Sequence, residues 1–259
     1  MRIVSLAPSQ TEILLALGLG AELAAVTSYC RLPADFESLP RLPGWSSIKA
    51  SDVLKFEPGL VLTSSICQQS LRAELAAAGI RLQHSDPRTL DAVAHSFIEL
   101  GIEVGKKEEG RALSRKFHAE LDAFKASAGA RGPRVYIEEW DKPPMAAGNW
   151  VPEMVMAAGG EPFNRKLGEL SAEISWEELM EFDPEIVVYS ICGVGTHFDP
   201  ASFLKVEGWN TLSAAKSRRI YSIDDSLFNV PGPGLTGGVK ILRELLEGKI
   251  RAGIRALNT

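Results

Sequence analysis

The segment DVLKFEPGLVLTSS (Asp52–Ser65) reads as a short helix that stops at Pro58 and continues at once into an apolar strand. The second half of the chain repeats this pattern as EELMEFDPEIVVYS (Glu177–Ser190), with Pro184 between helix and strand. The same order of helix, proline and strand in both halves indicates a doubled α/β unit. We therefore predict an α/β fold with one lobe in each half of the chain.

Strand-like and helix-like segments alternate on both sides of these two stretches. Ser9, with Glu12 three residues later, predicts a capping box at the start of the first helix, and Pro152 and Gly159 predict the start and end of another. The predicted strands are Arg2–Ala7, Leu23–Tyr29, Gly59–Ser65, Ile80–Asp86, Arg134–Trp140, Glu185–Ile191 and Arg219–Asp224. The predicted helices are Gln10–Gly20, Ser51–Pro58, Ser70–Gly79, Val151–Gly160, Ser175–Pro184 and Leu235–Gly248.

A long helical block separates the two halves. From Thr89 to about Ala128 the apolar residues mostly recur at steps of three, four or seven, while Gly101, Gly105 and Gly110 weaken the middle and allow a bend. Such a length exceeds that of an ordinary connecting helix and suits a spacer between two lobes. We predict an N-terminal α/β lobe over residues 1–88, a helical spacer over 89–129 and a C-terminal α/β lobe over 130–259.

The bulk composition is that of an ordinary soluble globular protein, with 45% hydrophobic and 24% charged residues. The net charge of −5 does not favour nucleic acid or an anionic membrane as a partner. No apolar stretch reaches the roughly 18 residues of a membrane span. The opening MRIVSLAPSQ lacks the features of a secretory leader. We expect a cytoplasmic protein if the sequence is complete, and a periplasmic or otherwise extracytoplasmic one if a leader was removed.

Recognisable catalytic and metal-binding motifs are missing from the sequence. There is no GxSxG nucleophile turn, no GxxxxGK[ST] phosphate loop and no HExxH zinc motif. Three widely spaced cysteines, Cys30, Cys67 and Cys192, form no CxxC pair and are an odd number for a disulfide framework. We therefore expect no enzyme, no catalytic residue, no cofactor and no bound metal.

Aromatic and polar side chains collect where predicted strands end. The loop EEWDKPPMAAGNWVPEM (residues 138–154) carries Trp140 and Trp150 among prolines and glycines, although large aromatic residues usually lie in cores. In open α/β sheets, ligands bind outside the carboxyl ends of the strands. If the two halves face each other, these loops line one cleft. Further candidates at strand ends are Tyr29, Ser65, Cys67, Gln68, Asn149, Cys192, His197 and Phe228.

The order of several short motifs resembles a known family. The stretches RIVSLAPSQTEILLALGLG (2–20), SYC (28–30) and FNVPGPGL (228–235), with the EPGLVL pattern at 57–62, look like the substrate-binding proteins of cobalamin and ferric-siderophore ABC importers. The segments EEWDKPPMAAGNWVPEMV (138–155), SWEEL (175–179) and ICGV (191–194) are most similar to the cobalamin-binding branch. The resemblance covers nearly the whole chain. It implies two Rossmann-like lobes joined by a rigid helical spacer, with the ligand in the cleft between them.

The resemblance also implies a ligand and its contacts. In the family, a tyrosine at the position of Tyr29 and an aromatic residue near Trp45 contact a corrin ring. The ligand expected here is accordingly cobalamin or a related corrinoid. Aromatic faces suit such a broad, flat ring because they offer a large contact area at little conformational cost. Trp140, Trp150 and Phe228 would supply such faces on the other lobe, while Ser65, Gln68 and Asn149 would bond the amide arms.

Docking to an importer is a further implication of the resemblance. In the family, one glutamate at the tip of each lobe pairs with arginines of the importer's membrane subunits. Glu177 matches the glutamate of the second lobe. At the corresponding position of the first lobe, this chain has Ser51 in place of the usual glutamate, and Asp52 is the nearest acidic residue. We expect a monomer that has a small-molecule ligand and ABC importer membrane subunits as partners, and no nucleic acid.

Other hypotheses remain open at this point. Binding of a ferric siderophore or haem would favour cleft arginines, for which only Arg31 and Arg165 are nearby candidates. His197 could ligate the metal of a bound chelate, and the three cysteines could converge into a thiolate cluster. A cytoplasmic enzyme or chaperone of tetrapyrrole or metal metabolism would use such groups on the same fold.

Overall fold

The computed structural model describes residues 1–45, 47–126, 132–164, 166–250 and 254–257. The chain divides into two compact units, each with its own sheet. The first unit comprises Met1–Pro87 and Ala92–Lys116, and the second comprises Arg88–Asp91 and Phe117–Thr259. The prediction of an α/β fold is confirmed.

The elements described before residue 127 are strands, α-helices and short 3₁₀ helices. The strands are β1 (Ile3–Ser5), β2 (Leu23–Thr27), β3 (Arg41–Leu42), β4 (Leu60–Ser64) and β5 (Leu82–Ser85). The α-helices are α1 (Pro8–Ala16), α2 (Ala50–Leu54), α3 (Gln69–Ala77), α4 (Leu90–Glu103) and α5 (Lys107–Ala126), and short 3₁₀ helices cover Gly20–Glu22, Ala34–Phe36 and Ile66–Gln68.

The first sheet is wholly parallel and has the strand order β3-β2-β1-β4-β5. The central strands β1 and β4 are completely buried, because helices cover both faces of a parallel sheet. Val4, Val61 and Leu75 belong to the apolar cluster of this unit. The strand order reverses between β1 and β4, so the loops after these two strands flank the crevice in which doubly wound sheets hold ligands.

The predicted capping box at the first helix is not formed. Helix α1 begins at Pro8 and has Ala7 as its N-cap, without a side-chain cap, so Ser9 lies inside the helix and is buried. Proline fits the first helical position because its φ is already helical and it has no N–H to satisfy. The prediction that Ser9 caps this helix is therefore wrong.

The predicted helical spacer is not one continuous helix. Helices α4 and α5 are separated at Gly105, whose φ of +75° is left-handed. A Cβ on Gly101 would lie 2.7 Å from the Lys106 carbonyl oxygen, and one on Gly110 would lie 2.5 Å from the Phe97 carbonyl oxygen. The two backbones thus approach at glycines, and Ala92–Lys116 packs as part of the first unit. The spacer's predicted end, after Ala126, lies outside the described residues.

The elements that follow belong to the second unit. The strands are β6 (Arg134–Asp141), β7 (Pro144–Ala146), β8 (Glu161–Pro162), β9 (Ala172–Glu173), β10 (Ile186–Tyr189), β11 (Ile220–Ser222) and β12 (Arg255–Ala256). The α-helices are α6 (Val151–Ala158), α7 (Trp176–Phe182), α8 (Ser213–Lys216), α9 (Ser226–Asn229) and α10 (Leu235–Leu246), and 3₁₀ helices cover Gly195–His197, Pro200–Lys205 and Trp209–Thr211.

The second sheet is mixed, with the order β12-β11-β10-β6-β7-β9. Strands β6, β10 and β11 run parallel, whereas β7, β9 and β12 add antiparallel pairs. The start of β6 also pairs with β8, and its end pairs with β7. Helix α6 has Pro152 in its first turn and ends at Gly159 in the left-handed conformation, as the sequence predicts. A capping box between Ser175 and Glu178 starts α7.

We expect Gly110→Ala to destabilise the protein by about 1–3 kcal/mol, because its Cβ would clash with the backbone of α4. Gly237→Ala is the matched control, since nothing lies within 4 Å of the Cβ it would add to α10. That change should be neutral or stabilise by up to about 1 kcal/mol. Urea denaturation measures both variants, and equal midpoints would contradict the proposed close approach of α4 and α5.

Candidate functional site

Two exposed aromatic side chains lie after strands of the first unit. Tyr29 follows β2 and is 56% exposed, and Trp45 follows β3 and is 38% exposed. The backbone N–H of Gly44 donates to Ser28 Oγ at 3.3 Å and joins these two loops. Both rings are thus held by bonded loops at the carboxyl edge of the sheet, with much of their area open to solvent.

Gln68 has a structural role instead of the predicted ligand contact. Its side chain is 1% exposed, and its Oε1 accepts a hydrogen bond from the Ser64 N–H at 2.9 Å. Its Nε2 donates to the Leu6 carbonyl oxygen at 2.9 Å and approaches that of Trp45 at 3.5 Å. The amide is therefore used within the protein, and the prediction that it binds the ligand is wrong. Instead, Gln68 links the loops after β1, β3 and β4.

Ser65 lies at the crevice after β4 in a strained conformation. Its φ is +63°, and its Oγ accepts a hydrogen bond from the Cys67 N–H at 3.3 Å. A left-handed non-glycine residue costs of order 1 kcal/mol and is found preferentially at functional sites. Cys67 itself is exposed. Ser65 and Cys67 remain candidates for ligand contact.

Trp140 lies near the end of β6 and Trp150 follows β7, and of these two tryptophans only Trp140 is exposed. Its exposed fraction is 45%, and its Nε1 donates to the Lys142 carbonyl oxygen at 3.0 Å, which fixes the indole orientation. Trp150 is 8% exposed and Phe228 is 0% exposed, and Trp150 Nε1 donates to the Phe228 carbonyl oxygen at 2.7 Å. These two rings belong to the core of the second unit, where the hydrogen bond from Trp150 joins the start of α6 to α9. The prediction that they face a ligand is therefore wrong.

Asn149 lies beside Trp150 and is also left-handed, with a φ of +53°. Its Oδ1 accepts a hydrogen bond from Arg88 Nη1 at 2.8 Å, and its N–H donates to the Glu169 carbonyl oxygen. The amide oxygen is thus occupied in this structure. A direct contact between this side chain and a ligand remains a prediction.

The loop after β10 carries Cys192 and is held by residues that the sequence analysis did not single out. Asn229 Nδ2 donates to the Ser190 carbonyl oxygen at 2.9 Å and to Cys192 Sγ at 3.0 Å. The N–H groups of Gly193 and Gly195 donate to the Asp225 carboxylate at 2.8 and 2.9 Å. Burial raises the pKa of the Cys192 thiol to about 12, so this cysteine stays protonated at neutral pH.

The structure does not support a cysteine site for a metal. Cys30 is 3% exposed and contacts the hydroxyls of Thr11 and Thr27 at 3.2 and 3.4 Å. Among the residues with described coordinates, no group of three or more histidine, cysteine, aspartate or glutamate side chains is arranged to hold a metal ion. His197 is exposed, and ligand binding by it stays a prediction. Arg31 is exposed, and Arg165 lies outside the described residues.

Two adjacent glutamates at the end of β6 were missed by the sequence analysis. Glu138 is 3% exposed, accepts a hydrogen bond from the Tyr136 hydroxyl at 3.0 Å, and has its pKa raised by burial to about 8. Burial also raises the pKa of Glu139, whose Oε2 accepts a 2.6 Å hydrogen bond from Ser171 Oγ. A protonated carboxyl both donates and accepts hydrogen bonds, as an amide does. The sequence shows these two residues only as a pair of adjacent glutamates before Trp140. It does not reveal which of the two side chains is buried.

The predicted docking residues are at the surface. Glu177 is exposed in the first turn of α7, whereas its neighbour Glu178 accepts the Ser175 N–H at 2.9 Å as part of the capping box. Asp52, in the first turn of α2, accepts a 2.7 Å hydrogen bond from Lys55 Nζ, which lowers the pKa of that carboxyl. Docking by either residue stays a prediction. None of the described helices is long and apolar enough to cross a membrane.

Comparison with known proteins gives a family and several relatives. The sequence profile of the family described as periplasmic binding protein matches residues 3–227. The vitamin B12-binding protein of Vibrio campbellii is 26% identical over 234 residues, which are 89% of this chain and 83% of that protein.

Two solved structures share the fold over nearly the whole chain. The periplasmic haem-binding protein of Roseiflexus sp. RS-1 is 25% identical, with a TM-score of 0.81 over 95% of this chain and 98% of that one. The periplasmic vitamin B12-binding protein of Vibrio cholerae is 23% identical, with a TM-score of 0.76 over 95% of this chain and 96% of that one. The match to the family over residues 3–227 confirms the resemblance seen in the sequence.

We expect the stability of the protein to fall as the pH rises from about 4.5 to about 8 on account of Glu138. Its pKa is higher in the folded state than in the unfolded state, so the folded state binds more protons in this window. The contribution of Glu138 to the free energy of unfolding is fully present below the pKa of its carboxyl in the unfolded state. It is lost as the pH rises through the pKa of the same carboxyl in the folded state. Glu138→Gln keeps an acceptor for Tyr136 and removes the titration. Urea denaturation at several pH values should show a flatter profile for this variant, and parallel profiles would contradict the assignment.

Proposed function

The chain belongs to the periplasmic binding protein family, and from that premise we propose that it binds cobalamin or a related corrinoid without converting it. In this role it is the substrate-binding component of an ABC importer and acts outside the cytoplasm. The observation that carries the proposal is the set of exposed aromatic faces at strand ends, formed by Tyr29, Trp45 and Trp140. The placement of the ligand between the two lobes rests on the resemblance seen in the sequence.

The exposed rings support a broad, flat ligand. Folded proteins usually bury their tryptophans to a large extent, so two indoles that are 38% and 45% exposed at the carboxyl ends of strands need an explanation. A partly apolar macrocycle would cover them and gain about 25 cal/mol for each Å² of apolar surface removed from water. The Trp140 indole is already oriented by its bond to Lys142, so little conformational freedom is lost on binding.

The polar groups near these rings favour a ligand with amide arms. Burial raises the pKa of Glu138 to about 8, so this carboxyl is largely neutral at pH 7, and burial also raises the pKa of Glu139. Ser65 adds a hydroxyl at the crevice of the first unit. The similarity to a vitamin B12-binding protein over 89% of the chain supports the same ligand class.

Binding is tested by titrating the protein with cyanocobalamin, cobinamide and hemin in separate calorimetric experiments. We expect the two corrinoids to bind and hemin to bind more weakly. Tyr29→Ala, Trp45→Ala and Trp140→Ala should each weaken corrinoid binding by about 1–3 kcal/mol, because each removes an aromatic face.

The buried tryptophan supplies the control for these variants. Trp150→Phe removes the hydrogen bond to Phe228 and should lower stability by about 1–2 kcal/mol while leaving the corrinoid affinity unchanged. Hemin binding in preference to both corrinoids would replace the proposed ligand. Unchanged affinity in all three alanine variants would remove these rings from the site.

Docking is tested separately from ligand binding. Glu177→Ala should reduce the stimulation of ATP hydrolysis by the liposome-reconstituted importer encoded in the same genome, because it removes an exposed carboxylate that an arginine of the membrane subunit would pair with. Glu181→Ala, an exposed glutamate on the same helix, is the matched control and should leave stimulation unchanged. Equal stimulation by both variants and the wild type would contradict a docking role for Glu177.

A further inference from the structure

A groove in the first unit is separate from the residues assigned to the corrinoid. It lies between α3 and the edge strand β5 and encloses about 540 Å³. Small-molecule sites in proteins commonly enclose about 300–1,000 Å³. None of the aromatic residues of the proposed function lines this groove. Its size and its walls therefore suit a second, smaller ligand.

A cationic side chain with an unsatisfied donor lies in the groove. Arg72 lines it from α3, and the guanidinium Nε is shielded from solvent without a hydrogen-bond partner in the described part of the chain. A buried donor left without an acceptor costs about 1–3 kcal/mol, and more when the group is charged. A planar guanidinium pairs best with a carboxylate or phosphate, to which it donates two parallel hydrogen bonds.

Neutral polar groups flank this cation. Gln69 and His84 also line the groove, and His84 Nδ1 lies 3.1 Å from Thr63 Oγ1. This contact uses one ring nitrogen and leaves Nε2 as the nitrogen available to a ligand. Burial, with the nearby charge of Arg72, lowers the pKa of His84 and favours the neutral imidazole. The polar wall thus offers one positive charge and several neutral hydrogen-bonding groups.

The remaining walls set the size and charge of the ligand. Ala73, Ala76 and Leu82 supply apolar surface along the groove. Asp86 lines the groove after β5 and is exposed, so it disfavours a second negative charge on a ligand. These walls match one anionic group joined to a small apolar body.

We propose that this groove binds a monocarboxylate carried on a small aromatic or branched aliphatic body. The carboxylate pairs with the Arg72 guanidinium and accepts hydrogen bonds from the neighbouring polar side chains. The apolar body lies against the alanines of α3 and against Leu82. This site is independent of the corrinoid proposal, because it uses other residues of the first unit.

The proposal is tested with sodium benzoate as the probe on ¹⁵N-labelled full-length protein without corrinoid. Saturable shifts of backbone amides along α3 and β5 are expected in the ¹H–¹⁵N correlation spectrum. Benzyl alcohol and benzylamine have the same ring without the carboxylate and should bind at least about tenfold more weakly, because they lack the charge-assisted pair. Equal shifts with benzyl alcohol would overturn the proposal.

Two variants locate the site. Arg72→Gln should weaken benzoate binding at least about tenfold, and Ala76→Phe should block it by filling the groove from an exposed position. Arg111→Gln is the matched control, since Arg111 is exposed on α5, pairs with Glu108 and does not line the groove. Circular dichroism establishes that each variant is folded. Absence of saturable shifts in the wild type, or unchanged binding in both groove variants, would refute the assignment.

Discussion

Both units depend on one constraint, the burial of parallel strands on both faces. The central strands β1, β4 and β10 are completely enclosed, so their side chains serve packing alone. Ligands of such sheets bind outside the carboxyl ends of the strands, where the strand ends and the following loops present side chains. Hydrogen bonds from residues such as Gln68 and Asn229 hold these loops in place, so the rings they carry need little reordering to bind a ligand.

The exposed rings of each unit, and the buried acids of the second unit, favour a large and nearly neutral ligand. Tyr29, Trp45 and Trp140 provide flat apolar area. The buried Glu138 accepts a hydrogen bond from the Tyr136 hydroxyl and resists ionisation, and Cys192, which contacts Glu139, keeps its proton. Aromatic faces and neutral hydrogen-bonding groups suit a corrinoid with amide arms. Paired propionates, as in haem, would instead call for cations.

Sequence reasoning predicted the architecture better than the individual contacts. The repeated order of helix, proline and strand, the predicted strand 134–140, and the helix ended by Gly159 all reappear in the structure. These features depend on local patterns of apolar residues, prolines and glycines. The three glycines of the helical block indicated that a bend was possible there. The close contact between Gly101 and Gly110 joins two helices, and the periodicity of the sequence does not reveal it. Trp140 and Trp150 look alike in the sequence, yet only the packing of Trp150 against α9 decides that its ring is buried. Glu138 and Glu139 posed the same difficulty, because alternation in a strand does not reveal which face is covered.

The central claim is that a corrinoid covers the rings that the protein leaves exposed. Hydroxyl-radical footprinting read by mass spectrometry, with and without saturating cyanocobalamin, tests it most directly, because it reports the solvent exposure of each ring. We predict that cyanocobalamin protects Tyr29, Trp45 and Trp140 from oxidation and leaves the low oxidation of Trp150 unchanged. Equal oxidation of the three exposed rings in both samples would contradict it.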